Sequence, residues 1–150
     1  MEMKKKILII LIIVIALFNL RFTFKPGIFR GHDTENHLAR VANFYLALKD
    51  NHFPVRWARN LNYKFGYPVF NFTYPLANML SMPFVAAGLT IEHSLKAVFY
   101  LAYISSGVFM YLLLKEYLSN KTSLLGSIAY LSMPYQFSNM FIRGNVGESL

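Results

Sequence analysis

The sequence predicts an all-α, polytopic bundle of membrane helices, and three observations point there. The 150-residue chain is 55% hydrophobic and only 15% charged, where soluble domains carry about a quarter charged residues. Four apolar stretches of about 18 to 20 residues follow one another, the length a hydrocarbon core of about 30 Å demands of a helix. Ten of the 22 charged residues lie between the first two. Cysteine is absent, which excludes disulfide scaffolds and thiolate metal sites. The apolar content also excludes intrinsic disorder. The net charge is +8, read here against membrane lipids, with no nucleic-acid partner expected.

Residues 1–24 form the first element. Ile7 to Phe18 is unbroken apolar sequence, and only Asn19 and Arg21 interrupt it before Phe24. Lys4, Lys5 and Lys6 precede it and put the N-terminus in the cytoplasm by the positive-inside rule. A cleaved signal peptide would show small residues after the apolar run. Leu20-Arg21-Phe22-Thr23-Phe24 is bulky, so an uncleaved anchor in the cell membrane is expected.

Residues 70–150 carry the other spans: Phe70–Leu89 with Pro75 and Pro83, Ala97–Leu114 between Lys96 and Lys115, and Leu124–Ile142 ahead of Arg143. Four crossings would put His93 and Arg143 inside, with Lys115 and Lys121 outside. The positive-inside rule prefers those lysines inside, so Phe70–Leu89 is either a span or a re-entrant segment. Arg143-Gly-Asn-Val-Gly-Glu148 reads as the start of a polar loop, and the chain as the N-terminal part of a longer protein.

Residues 25–69 form the extracytoplasmic loop. It holds Lys25, Arg30, Arg40, Lys49, Arg56, Arg59 and Lys64 against Asp33, Glu35 and Asp50. Cations outside the cytoplasm oppose the topological preference, and a lipid phosphate would account for them. Snorkelling on headgroups is the alternative. Leu38, Val41, Tyr45 and Leu48 recur at helical spacing and predict an amphipathic surface helix. Pro54 closes it off beyond Asp50.

Gly31-His32-Asp33-Thr34-Glu35-Asn36-His37 is the densest chemistry in the chain. If a helix starts at Asn36, Asp33 and Glu35 converge on one Mg²⁺ or Mn²⁺ ion. If the helix includes both, they point apart. A plain helix cap also explains an Asp or Thr here. His37 and Arg40 share the Asp33 side of the helix. The aromatics from Tyr63 to Tyr74 suit an interfacial belt or a stacking platform for a sugar or prenyl chain.

The order of these pieces carries a resemblance. Gly31-His-Asp-Thr-Glu-Asn-His37, Arg40, Pro54-Val-Arg-Trp57, Gly66-Tyr-Pro68, Tyr74-Pro-Leu76 and Arg143-Gly-Asn-Val-Gly-Glu148 resemble the membrane proteins described as related to 6-pyruvoyl-tetrahydropterin synthase. More widely, they resemble the front of a GT-C glycosyltransferase. The resemblance implies no pterin chemistry. It implies transfer of a sugar from a polyprenyl-phosphate donor, with Asp33 as the leading aspartate and Glu35 completing Asp-x-Glu. The site then comprises Asp33 and Glu35 as catalytic or metal-binding carboxylates. His37, Arg40, Arg56, Arg59 and Arg143 hold the substrate. A transporter of lipid-linked sugars and a non-catalytic membrane protein are the competing expectations.

Overall fold

The computed structural model describes the backbone of residues 2–149 and the side chains of residues 6–147. Helix makes up 68% of the chain. Among the described residues, the only extended pairing is an isolated antiparallel bridge between Ala58 and Tyr67. The order is α1 (Glu2–Asn19, tightening into a 3-10 turn at Leu20–Thr23), α2 (Thr34–Lys49), a 3-10 turn at Val69–Asn71 and α3 (Leu76–Ala86). Then come α4 (Ile91–Lys115), α5 (Asn120–Leu131), α6 (Pro134–Phe137), a π-helical turn (Ser138–Arg143) and α7 (Val146–Ser149).

Two stretches, Lys6–Thr23 and Ile91–Lys115, are helices long and apolar enough to cross a membrane. The other two expected spans are interrupted. α3 has 11 residues, about 16 Å at about 1.5 Å per residue, and falls well short of a bilayer core. α5 stops at 12 residues. Pro134 follows, and the residue before a proline is driven out of helical geometry; Met133 sits at φ −64, ψ 140. His93, expected in a loop, lies in the first turn of α4, whose N-cap Thr90 accepts from its backbone N–H.

Hydrogen bonds fix the helix directions. Asn19 donates to Tyr103 Oη at 3.1 Å, Thr23 and Tyr100 hydroxyls meet at 2.7 Å, and Lys96 donates to the Lys25 carbonyl at 2.9 Å. Numbers rise along α1 as they fall along α4, so the two are antiparallel and Lys115 returns towards the level of Ile7. α5 reverses again, with Ser127 donating to the Gly107 carbonyl and Tyr103 Oη to the Leu131 carbonyl, both at 2.6 Å. The Tyr103 bond satisfies a carbonyl at the break before Pro134, as a neighbouring helix must inside an apolar bundle.

α1 buries Ile12, Ala16 and Leu20 on one stripe, while Ile10, Val14 and Phe18 stay 54–62% exposed on the others. A helix apolar all round with one face packed has its remaining faces suited to lipid. α2 differs from its expected role as a surface helix. It packs on α3 and α4, and its buried stripe is Thr34, His37, Val41 and Phe44. Tyr45, expected on that stripe, is 37% exposed. Leu38, Val41 and Leu48 of the expected stripe pack instead on the neighbouring helices and on a second small core of Phe44, Ala47, Val55, Ala58, Val69 and Phe70.

Candidate functional site

Two glycine turns meet at the N-terminal end of α2. The backbone N–H groups of His32 and Asp33 donate to the carbonyls of Ile142 and Arg143 at 2.9 and 2.8 Å. Gly31 and Gly144 make this approach feasible: a Cβ on Gly31 would lie 2.8 Å from the Gly144 nitrogen. Gly144 itself has φ +64 and ends the π-helical turn, a conformation that glycine adopts without strain. Tyr74 completes the contact, since a Cβ on Gly147 would strike its hydroxyl. The acidic turn, the Tyr74-Pro-Leu76 entry and the Arg143-Gly-Asn-Val segment thus come together across more than a hundred residues of sequence.

Asp33 occupies the N-cap position of α2 at φ −103, ψ −2, and its side chain makes no capping hydrogen bond. Thr34 instead accepts from the Gly31 N–H at 3.1 Å. The partly exposed Asp33 carboxylate is therefore not consumed by the helix end. His37 lies one turn on, and its backbone N–H donates to the Asp33 carbonyl at 3.0 Å. Burial, and then the neighbouring Arg40, hold the His37 imidazole below its usual 6.5, with Asp33 pulling the other way. His37 is thus a neutral imidazole between an acid and a guanidinium. Arg143 joins this end through its backbone, and its side chain is itself engaged.

Glu35 goes elsewhere. Asp33 precedes α2 as its N-cap, whereas Glu35 lies within the first turn of the helix. Glu35 lines a groove of about 600 Å³ with Leu38, Ala42, Ile91, Glu92 and His93. No group of three or more His, Asp or Glu among the described residues is arranged to hold a metal ion.

Arg56 and Arg59 are also separate. They line a cleft of about 300 Å³ with Asp50, His52 and Trp57 at the far end of α2. Asp33 and Asp50 are some 25 Å apart along the helix at about 1.5 Å per residue. Arg59 is ion-paired with Asp50. The substrate residues expected to act together therefore divide between two places.

Gly144, Thr34 and Asn139 belong to the first place but were not expected there. Asn139 is 2% exposed, and its side-chain carbonyl has no hydrogen-bond partner among the described residues. It sits in the π-helical turn, a conformation that recurs at functional sites. No family model, no curated protein and no solved structure matches the chain.

Proposed function

We propose that this chain is the front of a membrane glycosyltransferase of the GT-C type, moving a sugar from a polyprenyl-phosphate donor to an extracytoplasmic acceptor at Asp33. The chain crosses the membrane three times: α1 outwards, α4 back, and α5 through the π-helical turn outwards, with α3 a short re-entrant arm. Lys4–Lys6, Lys115 and Lys121 then share the cytoplasmic end, as the positive-inside rule prefers. The antiparallel pairing of α1 with α4 supports that path, and so does the bonding of Arg143 to the acidic turn, which requires both on one side.

One observation carries the reading: Asp33 stands at a helix N-cap yet caps nothing. Its carboxylate takes the proton from an acceptor hydroxyl as that oxygen bonds to the anomeric carbon. The bond from that carbon to the phosphate oxygen breaks, and polyprenyl phosphate leaves. Arg40 and Arg143 supply positive charge to that phosphate, and the neutral His37 offers a hydrogen bond. The resemblance to the pterin-synthase-related membrane proteins points the same way.

The test is Asp33→Asn and Asp33→Ser in the complete protein, scored by thermal melt and by sugar transfer. Asn and Ser are as good as Asp at an N-cap, so melts stay put while transfer falls a hundredfold or more. Full transfer in both variants overturns the role of Asp33. Movement of lipid-linked sugar without a glycosylated product identifies a transporter instead.

A further inference from the structure

The cleft at the C-terminal end of α2 is built separately from the Asp33 end, and each wall has its own anchor. The Asp50 N–H donates to the Leu46 carbonyl, and the His52 N–H reaches back to the Ala47 carbonyl at 2.9 Å. Facing them, Ala58 and Tyr67 exchange a pair of backbone hydrogen bonds at 2.9 and 3.1 Å. Asn43 on α2 accepts from the Asn60 N–H at 3.0 Å and ties the two walls together. Trp57 is laid across Gly66 so closely that a Cβ there would fall 2.1 Å from the indole nitrogen. The ring is therefore held in one pose while remaining 53% exposed.

The side chains around this space differ in kind. The indole offers a flat apolar face. Arg59 and Asp50 neutralise each other and present both a donor and an acceptor at the wall. Arg56 has no carboxylate partner among the described residues, so its planar fork is available to an oxyanion. A cleft of about 300 Å³ sits at the small end of ligand sites, the scale of one sugar ring.

We propose that this cleft binds an anionic monosaccharide unit, a pyranose bearing a carboxylate or a phosphate. The C–H face of the ring stacks on Trp57, its oxyanion sits in the Arg56 fork, and its hydroxyls share the Asp50–Arg59 pair. The site lies away from Asp33 and does not depend on the chemistry assigned there.

Trp57 is the sole tryptophan, so its fluorescence reports on the cleft without interference. The full chain in detergent micelles or nanodiscs is titrated with glucuronate and with glucose 1-phosphate, and with glucose and inorganic phosphate as comparisons. A saturable change with at least one anionic sugar is expected, at least tenfold tighter than with glucose or with phosphate alone. Which sugar binds tells carboxylate from phosphate recognition. Arg56→Gln weakens binding at least tenfold, and Arg56→Lys, which keeps the charge but not the fork, weakens it less. Lys64→Gln, a cation of the same loop outside the cleft, leaves it unchanged. No saturable response to either sugar, an equal response to glucose, an equal response to phosphate alone, or full affinity in Arg56→Gln each overturns the proposal.

Discussion

Substituting Gly144 by alanine probes the junction between the acidic turn and the π-helical turn. Gly144 has φ +64, and its added Cβ would fall 2.2 Å from Thr34 Oγ1. A left-handed conformation costs a residue with a Cβ about 1–2 kcal/mol. Displacing the Thr34 hydroxyl also removes its bond to the Gly31 N–H, worth about 0.5–1.5 kcal/mol. Gly144→Ala is therefore expected to lose about 2–3 kcal/mol, or about 4–12 °C in melting temperature for a chain of this size. Thr34→Ala removes the obstructing oxygen. In that background the next atoms met are Thr34 N at 3.3 Å and the Gly31 Cα at 3.4 Å, which a small shift accommodates. The double variant then adds only the conformational cost to the single Thr34 loss, about 1 kcal/mol better than additivity. Thermal melts of the four proteins in one detergent measure this. Strict additivity, or a Gly144→Ala melt within about a degree of the parent, would refute the junction as the origin of the effect.

Two further outcomes follow from the same geometry. His37 is held neutral in the folded chain, below the usual 6.5, so below that pH the unfolded chain binds a proton that the folded chain refuses. Its contribution is whole above pH 6.5 and drains as pH falls; the melting temperature should drop from pH 7 to 5 more steeply than in His37→Gln, and equal slopes would count against it. Because the chain has no cysteine, single cysteines at Glu35, His93 and Lys121 report sidedness cleanly. An impermeant thiol reagent on intact cells should label the first two and spare the third, whereas labelling at Lys121 with protection at His93 would restore a four-crossing path.

The helical class and the two long apolar helices were legible because hydropathy over a window is a sum, insensitive to where each side chain packs. Apolar content alone does not show the breaks inside the other two stretches, but the lysine placement leaves Phe70–Leu89 open as a re-entrant segment, and Pro134 marks the other break. A proline in such a stretch signals either a kink or an end, and only its neighbours decide. The Tyr103 hydroxyl on the Leu131 carbonyl makes this break tolerable. At the candidate site, composition drew attention to Asp33 and Arg143 separately. Their meeting depends on Gly31 and Gly144 facing each other, a long-range fit that no local spacing encodes. The packed face of α2 was mostly legible: Val41 is in the core, Leu38 and Leu48 pack against buried clusters, and only Tyr45 of the apolar stripe stays exposed, while His37 and Phe44 join the buried side.

The cations of the loop no longer ask for a single explanation. Arg59 is matched by Asp50. Arg40 acts on His37, where it opposes protonation. Arg56 lines the cleft at the far end of α2, while the Arg143 backbone is tied to the acidic turn. Two groups of charged residues thus sit towards opposite ends of α2. One end sets the Asp33 carboxylate at a helix start where it makes no capping hydrogen bond, the feature on which the proposed proton transfer rests. The other sets the Trp57 indole beside Arg56, which has no carboxylate partner among the described residues, the feature on which the proposed anionic-sugar site rests. With α2 between the two proposed sites, a change at Arg56 and a change at Asp33 should act independently unless one substrate is long enough to reach both.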